Sequence, residues 1–287
     1  MKPYMIYTDS SCDISPSLLA EWGVGSESLS FHFTDDGAEH LDTEVPAAEF
    51  YAGMRAGRHA KTAAVNVDTF KTGFERVLQQ GFDLLYLGFS SGLSCTFNSG
   101  RLAMEELQAK YPERQMIAVD TLSASAGFGL LVYLAVQKKN EGASLEETAQ
   151  FIRDTRLHLC HWFTVDDLRY LRAGGRISSA AALLGSVLSI KPVLHMDNEG
   201  HLINVSKVRG RRAAIRALAA KVQELSSDPD APIFISHGDC LDDAETLKAI
   251  LETEQHRHVD LIADVGPVIG AHSGPGTLSV FFLGRER

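Results

Sequence analysis

Residues 83–107 read DLLYLGFSSGLSCTFNSGRLAMEEL. The apolar run at 84–89 is short enough for a buried strand. Ser90-Ser91-Gly92-Leu93-Ser94 breaks it, and Phe97, Gly100, Met104 and Leu107 then return at helical spacing. Arg101, Glu105 and Glu106 fall on the opposite face. The stretch predicts strand, tight turn, helix. Such a turn brings backbone N–H groups, a helix N-terminus and serine hydroxyls to the carboxyl edge of a sheet, where an anion is readily held. Ser90, Ser91 and Ser94 suit plain helix capping as well, which is the commoner task of such serines.

The segments on either side repeat the theme. Residues 5–8 form a short apolar run ending in Asp9-Ser10-Ser11-Cys12-Asp13, and Pro16 opens a helix over 16–22. Asp9 and Asp13 are candidate metal ligands, but capping of the turn accounts for them better. Residues 27–34 alternate as a strand. A helix is expected over 46–57 after a capping Thr43 or Glu44, a loop over 61–66 that carries Thr62, and a helix over 67–79. Residues 115–119 read as a third buried strand, followed by a nearly all-apolar helix over 124–136 that is either core or the wall of an apolar cavity. Ser144-Leu145-Glu146-Glu147 is a capping box opening a helix to about residue 159. Strands alternating with helices at this spacing imply a mostly parallel sheet covered on both faces.

The pattern changes near Cys160. A strand is expected over 161–165, and a short helix over 166–172 closed by Gly174-Gly175 and followed by Arg176. Ser178 then caps an apolar helix over 179–188. Runs at 191–196 and 201–205 read as a hairpin, and the basic run 207–212 starts a helix to about 225. A strand, a helix and a strand follow at 233–236, 242–251 and 259–263. A glycine-rich loop carries His272, and 277–283 is the last strand. The expected fold is α/β in two domains: an N-terminal α/β/α parallel-sheet domain over 1–160 and a C-terminal α+β domain with a mixed sheet over 161–287.

Composition narrows the function. Of 287 residues, 45% are hydrophobic and 22% charged, which suits a globule with a real core. The net charge of −10 argues against a nucleic-acid surface. No apolar run reaches the length of a membrane span, and the opening residues do not read as a signal peptide. Cys12, Cys95, Cys160 and Cys240 are scattered without a CxxC pair, as expected of reduced thiols in a cytoplasmic protein. His256 and His258 would point apart on a helix, so a metal site there is disfavoured. His237 suits a turn as well as catalysis. Gly92-Leu93-Ser94-Cys95-Thr96 fails the Gly-x-Ser-x-Gly nucleophile elbow at Thr96. A serine hydrolase acting on an acyl substrate through Ser94 and His272 is the alternative reading, though no sequence feature supplies its orienting acid.

Together the residues resemble the DegV family of bacterial fatty-acid-binding proteins over nearly the whole chain. The resemblance rests on Tyr7-Thr8-Asp9-Ser10-Ser11, the run from Ser90 to Ser99, Leu171-Arg172-Ala173-Gly174-Gly175-Arg176-Ile177, Lys191-Pro192, Val208-Arg209-Gly210-Arg211 and the run from Gly266 to Gly276. It implies two α/β domains with a long-chain fatty acid such as palmitate in a tunnel between them. Thr62 and Ser94 fall on the family's carboxylate-binding residues, Ser91 lies on the same turn as Ser94, and Arg209 and His272 fall near its ligand headgroup. It further implies a cytoplasmic carrier, not itself an enzyme, that presents its ligand to a fatty acid kinase catalytic subunit, with no metal and no cofactor beyond the bound acid. The chain departs from the family at Ala63-Ala64-Val65-Asn66 and at Cys95. An acyl tail of about 15 carbons leaving water would supply on the order of 12 kcal/mol gross, less the costs of ordering and association.

Overall fold

The computed structural model describes residues 2–177 and 189–287. The cap expected at Ser178 and the apolar helix expected over 179–188 lie outside the described residues.

The first strand, β1 (Tyr4–Asp9), ends in a single 3₁₀ turn at Ser10–Cys12 and leads into α1 (Pro16–Glu21). β2 (Val24–Glu27) and β3 (Ser30–Phe33) follow, where a single strand over 27–34 was expected. The chain splits there because the Glu27 carboxylate accepts from the Tyr7 hydroxyl (2.7 Å) while the Leu29 N–H donates to Ser10 Oγ (3.0 Å). Then come β4 (Glu39–Leu41) and α2 (Ala47–Arg55). α2 begins after Pro46 with no side-chain cap; Thr43 bonds Ser28 instead. The expected loop at 61–66 contains β5 (Ala60–Ala63), drawn into a strand by antiparallel pairing that sets Thr62 opposite Phe31. α3 (Val67–Gln79) is capped by Asn66 Oδ1, which accepts from the Thr69 N–H at 2.8 Å.

β6 (Asp83–Gly88), α4 (Thr96–Lys110) and β7 (Met116–Asp120) form the expected strand–turn–helix and its neighbour. α5 (Ser125–Asn140) is buried over most of its first half, and α6 (Leu145–Thr155) opens on the Ser144–Glu147 capping box. α6 stops four residues short of the expected end, and Leu159 starts β8 (Leu159–Thr164). α7 (Arg169–Ala173) precedes the hairpin of β9 (Ile190–Met196) and β10 (Leu202–Arg209). The basic run is divided: Lys207–Arg209 completes β10, Gly210 turns with φ +88°, and α8 (Arg211–Leu225) begins after it. The chain closes with β11 (Phe234–His237), α9 (Leu241–Glu254), β12 (Leu261–Asp264), α10 (Pro267–Ser273) and β13 (Leu278–Leu283).

Three sheets result. The order β2-β1-β6-β7 is parallel throughout, as the alternation of strands and helices requires. The order β10-β9-β8-β13-β11-β12 is mixed, antiparallel except for the β11–β12 pair. β4-β3-β5 is a small antiparallel sheet whose edge strand carries Thr62. One apolar core runs from Tyr4 and Phe128 across to Met196, Phe234 and Phe281, so α5 is shared by the parallel and mixed sheets.

α4 sits close on β6 because Gly100 has no side chain. A Cβ there would lie 2.4 Å from Tyr86 Cε1, and Tyr86 is fully buried. This contact fixes the height of the helix whose N-terminus closes the β6–α4 turn. Gly100→Val is therefore expected to lower the unfolding free energy by about 1–3 kcal/mol through overpacking. Urea denaturation checks this, and a neutral result would contradict the close approach.

Candidate functional site

The site begins at the carboxyl end of β6. Asp9, at the end of β1 and fully buried, accepts from the Phe89 N–H (3.0 Å), the Ser11 N–H (3.2 Å) and the Tyr86 hydroxyl (3.3 Å). Burial pushes its carboxyl up to about 6. Asp9 thus serves the turn's backbone and holds the next loop in place. Within that loop the Leu93 and Ser94 N–H groups both donate to Ser90 O (3.0 and 3.1 Å). Ser94 Oγ accepts from the Thr96 N–H (3.2 Å) and joins Thr96 Oγ1 (2.9 Å). Ser94 is not the N-cap of α4, which is Cys95 and makes no side-chain cap bond; its hydroxyl closes the turn onto the Thr96 N–H while lining a cavity.

That cavity, of about 260 Å³, collects Thr62 from β5, Ser94 from the β6–α4 turn, Arg176 from the segment after α7, and His272 from α10. Thr62 Oγ1 and His272 Nε2 are joined at 2.9 Å. Arg176 Nε donates to Leu93 O (3.3 Å), and its Nη1 donates to Gly174 O. Gly174 is seated against His272: a Cβ on it would lie 2.2 Å from Nδ1. Burial, and then the Arg176 charge, push the imidazole down to about 4, so His272 is neutral at pH 7. Among the described residues lining the cavity, Arg176 is the one cation and none is acidic. The remaining wall is largely apolar, including Phe89, Phe163, Met196, Val268, Ile269 and Phe281. A group of hydroxyls, one guanidinium and a neutral imidazole beside an apolar chamber suits a carboxylate with a long hydrocarbon tail.

α10 was expected to be loop, and its helical form is imposed from outside. Pro267 sits at its first position, the Gly266 N–H donates to Asp13 Oδ1 (3.0 Å) and the Val268 N–H to Asp42 Oδ1 (2.8 Å). Without those acceptors its glycines and short length would not hold a helix.

Thr62, Ser94 and His272 thus converge. Ser91 and Arg209 lie elsewhere: Ser91 is exposed and donates its N–H to Asp120 Oδ1 (3.3 Å), and Arg209 is exposed at the end of β10. Neither lines the cavity. Ser94 and His272 are partnered by Thr96 and Thr62 rather than by each other, and the groups that shift His272 include no carboxylate, unlike a hydrolase relay. The residue that sequence reasoning did not assign to the site is Arg176; its signals were its place after Gly174-Gly175 and its membership of the 171–177 stretch that carries the family resemblance. The departures at 63–66 are absorbed locally: Ala63 and Ala64 line the cavity, Val65 is buried and Asn66 caps α3. Cys95 is exposed on the cavity rim.

The model of the "Uncharacterised protein, DegV family" matches residues 4–285. The chain belongs to the DegV family. A DegV domain-containing protein of Clostridium perfringens is 41% identical, covering 100% of this chain and 99% of its own. A DegV family protein from Thermus thermophilus, described by its fatty acid binding, is 27% identical with a TM-score of 0.89, covering 99% of this chain and 100% of that one. A Thermotoga maritima protein described as revealing fatty acid binding function is 28% identical, with a TM-score of 0.85 and the same coverage. The DegV fold accounts for the parallel and mixed sheets together. Among the described residues no helix is long and apolar enough to cross a membrane.

His272 offers a direct check on this DegV site. Its imidazole should titrate with a midpoint of about 4 in an NMR pH series. Arg176→Gln removes a nearby positive charge that disfavours imidazolium, so the midpoint should rise toward the ordinary value. An ordinary midpoint in the wild type would mean that His272 is not enclosed.

Proposed function

We propose that this protein binds a long-chain fatty acid, with its carboxylate held by Thr62, Ser94, Arg176 and His272 and its tail in the apolar chamber. The observation that carries this reading is the convergence of Thr62, Ser94 and His272 on one cavity whose only lining cation among the described residues is Arg176. The DegV relatives from Thermus and Thermotoga, described as fatty-acid binders, support it. On this reading the chain forms two domains, 1–160 and 161–287, with the ligand between them, and works in the cytoplasm as a carrier. It presents the carboxylate to a kinase catalytic subunit and does no chemistry alone. Ser91 and Arg209, exposed and outside the cavity wall, are assigned to that encounter rather than to ligand binding.

The physics is balanced. Two hydroxyls and a neutral imidazole share the headgroup with one guanidinium, so the carboxylate needs no second buried cation. The tail supplies affinity without geometric demands. Replacing Thr62 and Ser94 together by Ala is expected to leave the fold intact and weaken binding of hexadecanoate, each lost hydrogen bond to the charged group being worth roughly 1.5–3 kcal/mol. Calorimetric titration measures this. Unchanged affinity in a folded double variant would remove both hydroxyls from the site.

A further inference from the structure

Behind the cavity wall lie two carboxylates that ligand binding, as described above, does not use. Asp13 follows the 3₁₀ turn, with φ +51°, and Asp42 follows β4. Both are buried. Their oxygens converge on Gly266, the residue before α10: a Cβ there would lie 2.9 Å from Asp13 Oδ1 and 3.3 Å from Asp42 Oδ1. Each accepts one backbone N–H from the start of α10. Asp13 Oδ2 also accepts from Ser125 Oγ, which joins Ser236 Oγ at 3.1 Å. No Lys or Arg pairs with either carboxylate among the described residues.

Two buried carboxylates this close, without a cation, cannot both ionise cheaply. The neighbouring groups do not relieve them. Asp264 at the end of β12 adds negative charge to Asp13 and stands 3.6 Å from His237 Nε2. The Cys12 thiol and the Tyr51 hydroxyl are held neutral by burial, and Asp9 is a further acid one turn away. α10 is what the pair holds, and Val268, Ile269, His272 and Ser273 of α10 all line the cavity, as does Ser125.

We propose that Asp13 and Asp42 are positioning residues for the headgroup site, that they keep one proton between them, and that losing it releases α10 and draws His272 away from Thr62. The proposal rests on the fatty-acid reading of that site and adds its regulation. Each N–H contact is itself stronger to a charged oxygen, so the release comes from the pair: ionising both sets two buried like charges against each other across Gly266, and their separation carries apart the N–H groups that begin α10. The sign follows. Burial raises both acids, Asp42 to about 6, and the Asp42 charge adds to the effect of burial in holding Asp13 well above the usual range. Stabilisation of α10 is therefore complete at low pH and is lost as pH rises through the raised values. His272, pushed down to about 4, stays neutral throughout that climb and cannot produce the effect.

The test compares wild type with Asp42→Asn and Asp13→Asn. Each amide keeps an oxygen for the backbone N–H but carries no charge, and Asn tolerates the left-handed backbone at position 13. Binding of dodecanoate, kept below its micellar concentration, is measured from about pH 6 to about pH 9, where a one-unit change in the pair's pKa on binding equals tenfold in affinity. Comparison with the variants cancels the ligand's own titration. Wild-type affinity should fall about tenfold or more over this range while each variant stays within about twofold of its low-pH value. Superimposable profiles, or a variant weakened by the same factor at every pH, would overturn the proposal. Hydrogen exchange of the ligand-free proteins separates this failure from failure of the fatty-acid reading. Amides of α10 should lose protection with rising pH in the wild type relative to Asp42→Asn even if no acid binds, and equal pH dependence would overturn the latch by itself.

Discussion

Buried carboxylates that accept backbone N–H groups from distant segments are the interactions on which this structure depends. Asp9 holds the Phe89 N–H, Asp13 the Gly266 N–H and Asp42 the Val268 N–H. Each links segments far apart in sequence, the last two across 253 and 226 residues. Backbone groups at the ends of strands and short helices must find partners once buried. Here those partners are acids without cations, which is costly in isolation. Their N–H contacts recover part of that cost, and the result is that the turn carrying Ser94 and the short helix carrying His272 meet at one cavity.

The polar end of the cavity is made in the same economical way. Thr62 comes from the edge of a small sheet, Ser94 from a turn, His272 from a helix of 7 residues and Arg176 from the chain after Gly174-Gly175. None of these elements would be rigid alone. They are fixed by one another: Thr62 against His272, His272 against Gly174, and Arg176 against the carbonyls of Leu93 and Gly174. A neutral His272 can join a carboxylate by a hydrogen bond without adding charge, leaving Arg176 to supply the electrostatic attraction.

How much of this could be read from the residues depended on range. Local signals served well. The 83–107 stretch formed its strand, turn and helix, Val67–Gln79 formed the expected helix, and the Ser144–Glu147 box capped α6. Long-range causes did not show. The Gly266–His272 stretch looked like loop because its glycines and proline are poor helix formers, and its acceptors, Asp13 and Asp42, lie near the other end of the chain. β5 looked like loop because only pairing with Phe31 and its neighbours makes it a strand. Arg176 gave no local sign of its task because the carbonyl that turns it, Leu93 O, is 83 residues away. The family resemblance assigned Thr62, Ser94 and His272 to one carboxylate site, whereas the residues alone left Thr62 in a loop, Ser94 as a cap or an anion-holding serine, and His272 as at most a hydrolase candidate.

The central claim is that the chamber is occupied by a long-chain acid in the cell. Mass spectrometry of the protein isolated under native conditions addresses it most directly. The account predicts a population heavier by one long-chain fatty acid, released on denaturation. A uniformly empty protein that instead becomes labelled at Ser94 by a fluorophosphonate would contradict it.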